Sequence, residues 1–197
     1  MLYETGQRLI LASGSPRRCK LLAEGGYQFE VVRPDDTAEC GICGRETPPE
    51  LVARLAHQKA GDVARRMDNA LVIGADTVAE CCGQILGKPT NRSHAKEMLK
   101  LMRGRVHHVY TGVCLWQKPG DETLANVDST KLQMDDVTDD DLEAYLDTGD
   151  WQGKAGAFGY QDGHDWIHIV HGSESNVVGL PMELLEEMLA EFNARHG

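Results

Sequence analysis

Residues 70–77 read Ala-Leu-Val-Ile-Gly-Ala-Asp-Thr (ALVIGADT), and the fold of the chain turns on them. The first six are uncharged and almost wholly apolar. A run of that length without polar alternation reads as a strand covered on both faces, the kind found in α/β sheets that carry helices on each side. The strand is expected to end abruptly at Asp76. In such sheets, ligands sit beyond the carboxyl ends of the strands. Asp76 is therefore the first candidate for chemistry: a carboxylate there can hold a divalent metal or take a proton from an attacking water. The plainer alternative is an Asp that opens a turn.

Outward from this run, strand-like and helix-like segments alternate, the pattern of an α/β protein. Residues 8–12 (RLILA) read as a strand, 17–24 as a helix stopped by Gly25 and Gly26, and 27–32 as a second strand. Pro48 and Pro49 open a long helix to about residue 67. Residues 78–86 read as a hairpin turning at Gly83-Gln84, and a helix from about 93 to 102 stops before Gly104. Two long strands follow, 106–116 and 124–133. Thr138 with Asp141 forms a capping box for a helix ending at Gly149. A glycine-rich loop leads to a strand at 166–170. The last helix, 182–194, buries Leu184, Leu185, Met188, Leu189 and Phe192 at helical spacing. No repeat or long linker divides residues 1–197, so a single domain is expected.

Composition narrows the function. The chain has 197 residues, 41% hydrophobic and 26% charged, which suits a globular protein. Its net charge of −11 argues against non-specific binding to a nucleic-acid polymer, which needs a basic face. It does not argue against a small phosphorylated ligand, which needs only a local cluster of cations. No stretch approaches the ~20 apolar residues of a membrane span. The opening MLYETGQRLILAS lacks a basic segment followed by a long apolar one, so no signal peptide and a cytoplasmic location are expected. The six cysteines then read as reduced thiols.

The basic residues gather around loops. Ser13-Gly14-Ser15-Pro16-Arg17-Arg18 joins a strand to a helix, and a helix N-terminus with forked guanidinium donors suits phosphate. The alternative is a solvated basic turn; the P-loop spacing is absent. Lys59 falls on the apolar stripe of Val52, Leu55, Ala56 and Val63, so it either snorkels or meets an anion. Lys88, in Gly87-Lys88-Pro89, is a phosphate contact or a surface lysine. Residues 153–161 (GKAGAFGYQ) space three glycines at intervals of three, which suits close backbone approach, and Gln161 could read the polar edge of a base. Cys40 and Cys43 have a CxxC spacing that would need two more ligands for zinc. Cys81 and Cys82 are adjacent and would point to opposite faces of a strand. His107 and His108 read as ordinary strand residues, and the absence of GxSxG leaves no serine nucleophile.

Taken together, these stretches resemble the Maf family. LASGSPRR (11–18), the segment 56–60 with Lys59, GADT (74–77), GKP (87–89), YTGV (110–113), KAGAFGYQ (154–161) and NVVGLP (176–181) occur in the family's order across nearly the whole chain. The resemblance implies a mixed, elongated β-sheet flanked by helices, with two lobes and a central cleft, as in Maf and inosine-triphosphate pyrophosphatase proteins. It implies hydrolysis of a nucleoside triphosphate to the monophosphate and pyrophosphate, with Mg²⁺ or Mn²⁺ as cofactor. Asp76 matches the family's catalytic position. Asp76 and Glu39 match its metal-binding acids. Arg17, Thr77 and Gln161 match positions tied to substrate choice. Ser13, Arg18, Lys59, Lys88 and Lys154 match other polar positions of the cleft. Gln161 implies the branch acting on dTTP and UTP, since the 7-methyl-GTP branch carries an acidic residue there. Phe158, Tyr160 and Asp162 depart from the common Tyr, Ile and Gly. A homodimer is a further expectation of the resemblance. The rival expectations are a 7-methyl-GTP or modified-nucleotide pyrophosphatase, a non-catalytic nucleotide-binding regulator of cell division, and a zinc-stabilised interaction protein.

Overall fold

The computed structural model describes residues 7–35, 46–162 and 164–196. In chain order these form β1 (Leu9–Ala12), α1 (Pro16–Glu24), β2 (Glu30–Val31), α2 (Pro48–Ala64), β3 (Ala70–Cys81), β4 (Gln84–Leu86), α3 (Arg92–Met102), β5 (Val106–Lys118), β6 (Thr123–Met134), α4 (Asp139–Thr148), 3₁₀ turns at Ala155–Ala157 and Tyr160–Asp162, β7 (Ile167–His171), α5 (Glu174–Val178) and α6 (Met182–His196). The strands form one mixed sheet in the order β2-β1-β3-β5-β6-β7, with β4 also beside β3. The β2–β1 and β1–β3 pairs are parallel and the rest antiparallel.

Local chemistry sets the element ends. Thr138 Oγ1 accepts from the Asp141 amide at 3.1 Å, and Asp141 Oδ2 accepts from the Thr138 amide at 3.2 Å, the reciprocal box expected from sequence. Gly149 closes that helix at φ 78°, a left-handed position suited to glycine. A second box, Thr47 with Glu50, starts α2 ahead of its two prolines. The β3–β4 turn is Cys82-Gly83, one residue earlier than Gly83-Gln84. Both residues have positive φ, 52° and 78°, which is what a two-residue turn between antiparallel strands needs.

β3 does not end at Asp76 as the sequence suggested; it runs five residues further, to Cys81. What ends there is its cover. β5 pairs with one side of β3 from Ala70 to Glu80. On the other side, β1 covers Leu71 to Gly74 and β4 covers Ala79 to Cys81. Residues 75–78 face a gap between those two strands, and Asp76 lies in it.

Alternation along β3 sends its residues to two faces. Ala70 and Val72 pack with Ala56, Ala60 and Val63 of α2. Leu71 and Ile73 pack on the opposite face with Leu22 of α1 and Leu185, Met188 and Phe192 of α6. Further along that second face, Ala79 and Cys81 join Met98, Leu99 and Met102 of α3 and Leu142, Tyr145 and Leu146 of α4. The two groups of helices cover opposite ends of one face, and these are the expected lobes. Helix α2 sits close because two glycines permit it. A methyl group on Gly74 would come within 2.3 Å of the Ala56 carbonyl oxygen, and one on Gly112 within 2.4 Å of the Val52 carbonyl oxygen.

Candidate active site

A cleft of about 550 Å³ enters the sheet at the gap. Every site residue expected from sequence that lies among the described residues lines it; Glu39, like Cys40 and Cys43, lies outside them. Both Asp76 and Thr77 line the cleft, although successive residues of a strand point to opposite faces. The cleft therefore passes the open edge of β3 and reaches both sides of the sheet.

On the α2 side, Lys59 Nζ donates to Asp76 Oδ1 at 2.5 Å. Lys59 is 4% exposed and Asp76 9%. The lysine on the apolar stripe thus turns inward to a carboxylate instead of snorkelling. Among the described residues no group hydrogen-bonds the second oxygen, Oδ2, of Asp76.

On the other side, Arg18 holds the gap together. Its Nε donates to the Gly179 carbonyl at 2.7 Å, and Nη1 donates to the Ala75 carbonyl at 2.9 Å. The guanidinium thereby stands in for the missing strand at one carbonyl of the open edge. Nη2 donates to Thr77 Oγ1 at 3.0 Å, which also lies 3.0 Å from Thr111 Oγ1. Arg18 and Thr77, expected to meet substrate, are engaged with the protein itself; they shape the cleft wall. Ser13, 4% exposed, accepts from the Ser15 amide at 3.1 Å and from Arg18 Nη1 at 3.4 Å.

The remaining cations also line the cleft. Arg17 Nη2 donates to the Gly153 carbonyl at 3.1 Å, tying α1 to the glycine-rich loop. The Gly156 amide donates to the Gly87 carbonyl at 3.1 Å, so that loop is also fixed to the turn carrying Lys88. Burial pulls the Arg17 guanidinium below the usual arginine range. Burial likewise pulls the Lys154 ammonium down; Asp150 opposes this and neighbouring Arg17 adds to it. Both groups would gain from an anion between them. Helix α1 has no acidic residue in its first turn, and Ser15 makes no side-chain capping bond. Six cations (Arg17, Arg18, Arg33, Lys59, Lys88 and Lys154) line the cleft among the described residues against one carboxylate, Asp76, in a chain of net charge −11.

Gln161 is exposed at the mouth, in the second 3₁₀ turn. Among the lining residues that sequence did not mark for function are Arg33 and His107. Arg33, just after β2, approaches Gly14 so closely that a methyl group there would lie 3.2 Å from its Nε; no local motif marks it. His107 reads as an ordinary strand residue, yet it is 2% exposed and lines the cleft. Burial lowers its imidazole to about 4, with a backbone hydrogen bond to Arg105 working the other way.

Comparison with known proteins agrees with this geometry. A family model described as Maf-like protein matches residues 8–192. A dTTP/UTP pyrophosphatase from Rhodopirellula baltica is 59% identical over 187 residues, covering 94% of this chain and 82% of the relative. One from Dictyoglomus thermophilum is 40% identical over 184 residues, covering 93% and 95%. Among solved structures, a HAM1 protein from Coxiella burnetii has the same fold, with a TM-score of 0.53 at 12% identity, covering 95% of this chain and 99% of that one. With its motifs gathered at one break in the sheet and the family model spanning nearly its full length, the chain belongs to the Maf family.

Proposed function

We propose that the chain hydrolyses a nucleoside triphosphate between its α- and β-phosphates, releasing the monophosphate and pyrophosphate, with dTTP and UTP preferred. The observation that carries this is Asp76, the one carboxylate that lines the cleft among the described residues, buried beside six cations. The names of the two relatives support the reaction and the choice of pyrimidines.

The chain's own groups take definite parts. Arg17, Lys88 and Lys154 bind the phosphates and hold charge as it moves to the leaving pyrophosphate. Asp76 takes the proton of a water as its oxygen bonds to the α-phosphorus and the bond to the bridging oxygen breaks. Lys59 fixes the orientation of that carboxylate through Oδ1. Asp76 Oδ2, in the cleft without a protein donor among the described residues, fits a divalent cation. Such ions are held by one or two carboxylates plus substrate phosphates. Asp76 would hold Mg²⁺ or Mn²⁺, with Glu39, and the ion would neutralise charge on the phosphate oxygens. A cytoplasmic, homodimeric enzyme acting on the free nucleotide pool completes the proposal. No helix among the described residues is long and apolar enough to cross a membrane.

The test is product analysis with Mg²⁺ and a panel of dTTP, UTP, CTP, ATP, GTP and 7-methyl-GTP, assaying pyrophosphate apart from orthophosphate. Pyrophosphate with dTTP and UTP leading is the expected result. Orthophosphate as the first product, or binding without turnover, would overturn the reaction assigned here.

A further inference from the structure

Lys59 holds Asp76, Arg18 braces the open edge of β3, and Arg17 is tied to Gly153. Arg33 lines the same cleft and does none of these things. Every other arginine among the described residues donates from its guanidinium to a protein acceptor. Among the described residues no group accepts from the guanidinium of Arg33. The chain has 31 acidic residues, so carboxylates are not scarce.

The backbone that carries Arg33 is nevertheless held firmly. On one side of it, the Val32 amide donates to the Leu11 carbonyl of β1 at 3.1 Å. On the other, the Asp35 amide donates to Asp62 Oδ2 of α2 at 3.0 Å. Arg66 Nη2 joins the two, donating to the Arg33 carbonyl at 2.9 Å and to Asp62 Oδ2 at 2.8 Å. Pro34 follows directly and keeps Arg33 out of the helical region. The side chain is laid over Gly14, in the loop that opens α1. A methyl group on Gly14 would stand 3.2 Å from Arg33 Nε and 3.4 Å from its Cδ. A solvated surface arginine needs no such frame. Arg33 is held at its root, laid across the loop between β1 and α1, and left with a forked donor that the protein does not use.

We propose that Arg33 binds the β- and γ-phosphates of the substrate, and the pyrophosphate they become, with Asp62 and Arg66 as positioning residues that fix its backbone. This rests on the pyrophosphatase reading for its substrate class. Most of the charge of a triphosphate lies on those two phosphates, beyond the α-phosphorus that Asp76 serves. A guanidinium matches the paired oxygens of a terminal phosphate with two parallel hydrogen bonds, which an ammonium cannot do.

The probe is inorganic pyrophosphate, titrated into the protein by calorimetry with Mg²⁺ present. UMP, which lacks the β- and γ-phosphates, is titrated beside it. Arg33→Ala is expected to weaken pyrophosphate about 10–100-fold, to leave UMP within about 2-fold, and to raise KM for UTP. Arg33→Lys keeps the charge without the fork, and part of the affinity returns. Asp62→Ala is expected to weaken pyrophosphate about 3–10-fold in the wild-type background and to add little to Arg33→Ala, because it acts through that residue. A merely structural role would cost the same in both backgrounds, and that result overturns the positioning role. Unchanged pyrophosphate affinity in an Arg33→Ala protein with a native circular-dichroism spectrum overturns the inference. So does equal weakening of pyrophosphate and UMP, or wild-type protein that does not bind pyrophosphate. Wild-type protein that binds pyrophosphate through Arg33 but releases none from UTP overturns the assigned reaction and leaves the role of Arg33 standing.

Discussion

At the scale of single residues, the two groups that matter most are both buried and both polar. Asp76→Asn keeps an oxygen for Lys59 but removes the proton acceptor. The expected loss is roughly 10²–10⁴-fold in kcat with little change in KM, read by steady-state pyrophosphate release. His107 makes a separate prediction about stability. Its folded value is about 4 against an ordinary 6.5. Between those values the unfolded chain binds a proton that the folded chain refuses. The contribution is therefore complete above pH 6.5 and is lost as pH falls toward 4, by about 3 kcal/mol in all. Urea midpoints measured from pH 4 to 7 should show this slope in the wild-type protein and not in His107→Gln. A flat difference between the two would contradict it. Legibility was uneven at this scale. Asp76 and Lys59 announced themselves because each breaks an apolar run. Arg18 was legible as a cation but not as a brace, since its partners Ala75 and Gly179 lie 57 and 161 residues away. His107 was hidden for a like reason: alternation gives its face, but the burial comes from α3 and α4, which precede and follow it in the chain and pack on that face.

At the scale of elements, the placement of Lys59 opposite Asp76 depends on how closely α2 lies on the sheet. Gly74 and Gly112 set that distance, because any side chain at either position would meet helix backbone, which cannot swing aside. Gly112→Ala is expected to cost about 1–3 kcal/mol through overpacking and to lower the melting temperature by about 2–12 °C. Because α2 carries Lys59, kcat should fall as well, though Gly112 touches no substrate. Thermal melts and turnover on one preparation check both; a variant of normal activity and stability would show that α2 has slack. The helices and long strands were legible from periodicity and capping. The end of β3 was not, because nothing in residues 76–81 tells where the cover of a neighbouring strand stops. The two 3₁₀ turns were read as loop and the short α5 was not marked at all, since three to five residues hold too little periodicity to register.

At the scale of the molecule, two helix groups flank the cleft, and Arg17 of α1 is tied to Gly153 of the glycine-rich loop. A ligand touching both lobes should stabilise the whole. At about 100 times its Kd, the α,β-methylene analogue of UTP is expected to add about 2.7 kcal/mol, a rise of about 5–11 °C in melting temperature. Scanning calorimetry with and without the analogue reads this, and the absence of any shift at saturating analogue would mean that the cleft does not bind it. The gap between β1 and β4 has a consequence for descent. One layer of backbone separates Asp76 and Lys59 from Thr77 and Ala79. Mutations on the far side of that partition alter what is admitted without disturbing what is done to it. Lineages sharing this architecture are thus free to drift in diet while inheriting an unchanged tool.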